Sequence, residues 1–210
     1  MDQDEFQTEP VRGLPEVPPE GEQILWQGAP DWWALSKDAL KVHWVAGYFL
    51  VLAGWRFGSL ADGGLGSALE ASLAHLIAGS IACAILILIA VVQARSTVYT
   101  ITNRRIAMRI GAALTLTVNI PYRWVGSADL DLRKNGTGTV ALSLTGESRL
   151  SYLVCWPHVR PWHFSPTQPA LRCIPDAEKV SRMFGESARA RLVELSRDPR
   201  KVDAVPVPAE

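Results

Sequence analysis

Cysteine is scarce in this chain of 210 residues: Cys83, Cys155 and Cys173 stand alone, with no CxxC spacing. That excludes a disulfide scaffold and a Cys-rich zinc module. Charge of one sign is not in excess either. Lys plus Arg is 21 and Asp plus Glu is 21, with pI about 6.9. A dedicated nucleic-acid binder would be basic, so nucleic acid is not an expected partner. No Walker loop, dinucleotide fingerprint, HExxH or GxSxG occurs, and each of those motifs carries its own chemistry. Without a clustered acid, base or nucleophile, an enzyme is not expected.

What the chain has is apolar residues, 48% of the total, and eight Trp. The apolar residues are clustered. Ala71–Ala94 (ASLAHLIAGSIACAILILIAVVQA) contains no Asp, Glu, Lys or Arg. At about 1.5 Å per helical residue it crosses a hydrocarbon layer of about 30 Å with some tilt. The alternative is a buried helix of a soluble protein, which is rarely so uniformly apolar. A second run, Trp44–Ala61, is interrupted by Arg56, whose stem can snorkel to the interface beside Trp55. A re-entrant segment is its alternative. The turn-rich Asp62–Ser67 joins the runs. The expectation is a two-helix transmembrane hairpin over residues 44–94.

Orientation follows from flanking cations. Lys37 and Lys41 precede the first run; Arg95, Arg104, Arg105 and Arg109 follow the second, with no acid between Arg95 and Arg109. The positive-inside rule puts both termini in the cytoplasm. The opening MDQDEFQTEP is acidic and has no apolar stretch, so the first span is expected to direct its own insertion.

Residues 1–21, rich in Pro and acids, read as a disordered tail. Residues 22–43 read as a short strand near Ile24–Trp26, then an interfacial helix with Asp31 as N-cap. After the hairpin the period shortens to two. Thr97–Thr102, Arg105–Ile110, Leu114–Ile120, Val125–Leu132, Thr139–Leu144 and Leu150–Trp156 read as strands. Turns fall at Asn103–Arg104, Asn135–Gly136 and Thr145–Gly146, and Leu171–Ile174 adds a last strand. Pro175, Asp176 and Glu178 open a helix whose apolar face is Val180, Met183, Phe184, Ala188, Leu192 and Leu195. The fold class expected is membrane α plus all-β. Residues 95–197 form a cytoplasmic pleckstrin-homology-like (PH-like) β-barrel closed by a C-terminal helix, and residues 198–210 form a flexible tail. The strand near Ile24 is expected to return to that barrel.

Two resemblances are visible. Tyr99-Thr-Ile-Thr-Asn-Arg-Arg-Ile-Ala, Gly111 and Ile120-Pro-Tyr-Arg-Trp-Val resemble the core of bacterial PH domains, which commonly follow a transmembrane hairpin. Gly21–Trp32, Leu150–Trp162 (with WPHVRPW) and Ala170–Glu178 (with RCIPDAE) resemble the photosynthetic complex assembly protein family PuhB of purple bacteria. That likeness runs from about residue 10 to residue 195. It implies a non-enzymatic assembly factor of the bacterial inner (intracytoplasmic) membrane. Its implied partners are photosynthetic reaction centre subunits and light-harvesting 1 polypeptides. It carries over no catalytic residue. The alternative is a lipid-headgroup-binding PH-domain membrane protein unrelated to photosynthesis.

Candidate sites follow from residue type. Trp156, His158, Arg160 and Trp162 form a Pro/Trp loop, read either as plain packing or as a partner-docking surface, since Trp and Arg favour hot spots. A metal there would need further ligands. His75 follows Ala71 by one helical turn, which leaves room for a macrocycle such as bacteriochlorophyll; the bland reading is a His facing head groups or the other helix. Gly54 and Gly58, and Ala74, Ala78 and Ala82, recur at one-turn steps and allow close helix packing. The packing is either within the hairpin, or between copies in a homodimer or with a client helix. Arg95, Arg104, Arg105 and Arg109 would attract anionic membrane lipids, beyond their role as topology signal.

Overall fold

The computed structural model describes residues 11–112, 114–145 and 150–197. The chain divides into two compact units. One comprises residues 31–94; the other comprises the described residues before and after them, 11–30 and from 95 to 197.

The strand unit is built on the period-two segments. β1 (Ile24–Gly28), β2 (Val98–Thr102), β3 (Arg105–Ile110) and β4 (Leu116–Pro121) form an antiparallel sheet in that order. β1 precedes residues 31–94 and β2 follows them, yet Gly28 and Tyr99 are cross-strand partners. The helical unit is therefore inserted between two neighbouring strands. Both faces of β2 are buried. Tyr99 and Ile101 enter the core. On the other face Thr100 Oγ1 accepts from Gln27 Nε2 (3.0 Å), and Thr102 Oγ1 accepts from Arg104 N and Arg105 N (3.1 and 3.0 Å), closing the β2–β3 turn.

Pro121 ends β4, and a single 3-10 turn (Tyr122–Trp124) leads to β5 (Val125–Leu132). With β6 (Gly138–Leu144) and β7 (Ala170–Ile174), β5 forms a second antiparallel sheet. The strands thus make two sheets, not the closed barrel that was expected. The expected strand at 150–156 is absent, because Tyr152–Cys155 forms one helical turn, α4. Cys155 is buried, the half-buried Tyr152 packs on the same core three residues before it, and Leu153 and Val154 point outward. That is a helical spacing, so no strand is available there to join the sheets.

Helix α5 (Ala177–Arg197) lies on β5, β6 and the 3-10 turn. Ala177 sits over Gly138, where an added Cβ would be 2.6 Å from Ala177 Cβ. Val180 and Phe184 carry the contact, and Phe184 meets Tyr122 edge-on. The apolar stripe ends sooner than expected: Leu192 is exposed, and Arg191, paired with Glu194 at 2.7 Å, is buried instead.

Part of the expected disordered tail is ordered. Val11 bridges to Leu14, and Leu14 is fully buried. Gly13, at φ +82, lies against Val98, with room for no Cβ. Residues 1–10, Gly146 of the expected Thr145–Gly146 turn, and the expected tail 198–210 lie outside the described residues.

In the helical unit Asp31 caps α1 (Trp32–Asp38) as expected, its carboxylate accepting from Ala34 N at 2.6 Å. The helix does not run on to residue 43. Lys41 is left-handed (φ 53), and α2 (Val42–Leu60) starts afresh. A 3-10 turn at Ala61–Gly63 leads to α3 (Leu65–Ser96). α2 and α3 run antiparallel along each other: Cys83 Sγ faces Val42 O at 3.9 Å, Gly79 faces Phe49, and Ser72 Oγ donates to Ala53 O at 3.2 Å. Among the described residues α3 is the one helix long and apolar enough to cross a membrane. Leu69, Leu73, Ile77, Ile81, Ile85 and Leu88 all point outward from it.

Candidate functional site

The Pro/Trp loop between α4 and β7 is held from below by a closed polar chain. Tyr99 is buried on β2, and its hydroxyl is hydrogen-bonded to His158 Nδ1 at 2.6 Å. On the other side of the ring Nε2 is hydrogen-bonded to Thr97 Oγ1 at 3.1 Å, so both ring nitrogens have a buried hydroxyl partner. The Tyr99 hydroxyl also accepts from Arg172 N at 3.3 Å, and Arg172 Nη1 donates to Val159 O at 3.0 Å. Desolvation, reinforced by the Arg172 cation, pushes the His158 pKa down from 6.5 to about 3. Desolvation also raises the Tyr99 hydroxyl far above its usual range. Both groups are neutral at physiological pH, and the chain acts as a latch. Backbone bonds from Ala170 N to His158 O (2.9 Å) and from Arg160 N to Gln168 O (2.8 Å) complete the anchorage.

His158 is therefore not on a docking surface; it is 1% exposed. The other members of the expected set lie outside it. Arg160 Nη1 donates to Asp129 (2.6 Å) and to Gln168 Oε1 (3.1 Å), with the guanidinium partly exposed. Trp156 is 40% exposed and Trp162 84%. Trp162 adopts φ +64, a left-handed conformation that bulky residues seldom take.

Three further outward residues went unread in the sequence: Leu153 (84% exposed), Val154 (64%) and Phe164 (59%). Phe164 stacks on Tyr152 (centroids 4.6 Å) and meets Trp162 edge-on (6.3 Å). Tyr152 of α4 and the Trp162–Phe164 segment thus form one run of aromatic contacts, and Leu153 and Val154 of α4 are exposed. Between Glu147 and Asp176 the chain has no acidic residue, whereas Arg149, Arg160 and Arg172 are basic. A signal for this surface existed in that acid-free, Trp-rich composition. The strand reading of residues 150–156 does not single it out.

The four arginines do not form one cluster. Arg109 pairs across from Val98, near Arg95 in sequence, whereas Arg104 and Arg105 sit at the far end of the β2–β3 hairpin. There Arg105 Nε pairs with Glu22 at 2.9 Å, and Arg104 Nη2 donates to Glu20 O at 3.0 Å. Their first task is to hold the segment before β1.

His75 Nδ1 lies 2.9 Å from Ala71 O. With the proton on Nδ1, the Nε2 lone pair points away from that carbonyl. Gly54 and Gly58 meet nothing within 4 Å of an added Cβ, and Ala74 and Ala78 are exposed, with Ala82 half-buried. Packing within the unit instead uses Ala53, Ala68, Ser72 and Gly79, where an added Cβ would be 2.6 Å from Phe49. Among the described residues no group of His, Cys, Asp and Glu could hold a metal ion.

Comparison with known proteins agrees with this architecture. Residues 47–188 match the family described as the bacterial PH domain. An uncharacterized 23.7 kDa protein of Rhodobacter capsulatus, encoded in the 5' region of puhA, is 44% identical over 197 residues and covers 92% of each chain. No solved structure matches. The chain belongs to the bacterial PH-domain family.

Proposed function

We propose that this bacterial PH-domain protein is a non-enzymatic membrane assembly factor for the photosynthetic reaction centre and its light-harvesting 1 core complex, of the PuhB type. The observation that carries the reading is the 44% identical relative encoded beside puhA, a photosynthesis gene of a purple bacterium. The WPHVRPW and RCIPDAE segments point the same way. α3, with its outward Leu and Ile, and α2 beside it are the two spans of an inner-membrane hairpin. Both termini are on the cytoplasmic side, where the flanking arginines lie. The hairpin stands beside newly inserted client helices, and the strand unit engages their cytoplasmic parts until partner subunits arrive.

Deleting the gene should lower reaction-centre and light-harvesting 1 levels while bacteriochlorophyll synthesis continues. Affinity purification from photosynthetically grown membranes should recover reaction-centre subunits. A deletion strain with normal complexes overturns the proposal. Recovery of lipid alone would favour the headgroup-binding reading instead.

A further inference from the structure

We propose that the outer edge of β5 takes up an extended segment of a partner protein as an added strand, with that segment's alternate apolar residues toward α5 and a basic residue opposite Asp131. The site lies wholly within the strand unit, so it goes beyond the assembly reading and stands or falls without it.

The first support is an open edge. β5 is the outermost strand of its sheet and is exposed from Gly126 to Leu132, and among the described residues no strand pairs with its far side. Edge strands are ordinarily guarded by Pro, by Lys or by being very short. Ser127–Leu132 contains neither Pro nor Lys. The other outer strands are less open: β7 is buried throughout, β4 is half-buried, and β1 is shorter and bulged.

The second support is that the core face runs off this edge. Residues directly opposite each other in an antiparallel pair share a face. Ala128 is opposite Leu142, Leu130 opposite Val140, and Leu132 opposite Gly138, the glycine on which Ala177 of α5 sits. Leu142 and Val140 are buried, yet Leu130 is 38% exposed, Leu132 is 47% exposed, and Ala128 is exposed too. One more strand would cover this apolar strip beside α5, and its backbone would complete the ladder. A helix laid there would leave the edge unpaired.

The third support is charge. Ser127, Asp129 and Asp131 lie on the opposite face of β5. Arg160 holds Asp129 at 2.6 Å, which leaves the exposed Asp131 as the charge a new strand would meet. A second copy of β5 fits poorly. Two-fold antiparallel registers that set both leucines against strand residues are centred on Asp129, Leu130 or Asp131. Each of them sets an Asp directly opposite an Asp, and like charges so placed are destabilising. A basic residue is the complementary choice.

The test uses the full chain in dodecyl maltoside and a fluorescein-labelled peptide of alternating valine and lysine, as long as β5. Peptide anisotropy should rise saturably with protein. Alternate amides of an added strand point toward β5. N-methylating all the valine amides or all the lysine amides should therefore abolish binding in one case and spare it in the other. Asp131→Lys should weaken the lysine peptide about tenfold and confer binding of an alternating valine–glutamate peptide. Absence of saturable binding overturns the proposal, as does an equal effect of the two N-methylations or an Asp131→Lys variant that binds as the wild type does. If size-exclusion chromatography shows a dimer that the peptide splits, a second copy holds the edge, and the proposal also falls. None of these outcomes bears on the deletion strain or the affinity purification.

Discussion

In the Tyr99–His158–Thr97 chain both ring nitrogens of a buried His are hydrogen-bonded to buried hydroxyls, so removing one atom strands another. Tyr99→Phe leaves His158 Nδ1 and Arg172 N–H without their partner. A buried polar group so abandoned costs about 1–3 kcal/mol. The latch also fixes how stability depends on acid. His158 has a folded pKa of about 3 against 6.5 for the free side chain. Above pH 6.5 it is neutral in both states. Between 6.5 and 3 the unfolded chain takes up a proton that the folded one refuses, so stability falls as pH falls. Below 3 that loss levels off. The slope for one proton is about 1.4 kcal/mol per pH unit. In denaturant titrations from pH 8 to pH 4, His158→Gln should start less stable than the wild type and decline more gently. Parallel curves would mean that His158 is not the buried neutral group described.

At the scale of elements, small residues make opposite predictions depending on which way they face. Gly79 receives the Phe49 ring, while Gly54 faces open space. Gly79→Val should force α2 from α3 and lower the melting temperature in detergent; Gly54→Val should leave it nearly unchanged. Equal effects would contradict the packing. Four-residue spacing marked Gly54 and Gly58 as readily as it would have marked a true contact, because spacing shows a stripe and not its partner. Legibility elsewhere followed the same logic. β2, β3 and β5 are legible to within a residue from their short runs between turn residues, and the Asp31 cap carries its own chemical signal. The four-residue run Tyr152–Cys155 is too short for a period to separate strand from helical turn. Leu14 is not legible as core, because the segment is seated by the contact of its neighbour Gly13 with Val98, which is brought near by the fold and not by the sequence. His158 was placed on a surface for a related reason: its partner Tyr99 is 59 residues away, and a single His between prolines has no periodicity to reveal a facing.

At the scale of the molecule, the insertion of residues 31–94 between paired strands makes a demanding prediction. Gly28 and Tyr99 face each other across a ladder, where Cα atoms are about 4.5–5.5 Å apart. Residues 29–30 and 95–98 with a two- to four-residue turn between them make a connection of about eight to ten residues, ample for that gap. Replacing residues 31–94 with such a turn should therefore close β1 onto β2 without disturbing the register. It should also keep Leu14 buried and retain the sheet order β1-β2-β3-β4. A simple fragment beginning at Arg95 lacks β1 and leaves the edge of β2 open, which invites strand addition from another chain. The linked form should be a monomer by size-exclusion chromatography, with dispersed amide resonances, and the fragment should aggregate. The linked form should also leave the membrane fraction on carbonate washing, because it lacks α3, the one described helix long and apolar enough to cross a membrane, whereas the intact chain should stay. Retention of the linked form would assign the main membrane attachment to the strand unit; aggregation of both forms would show that the strand unit depends on its inserted helices.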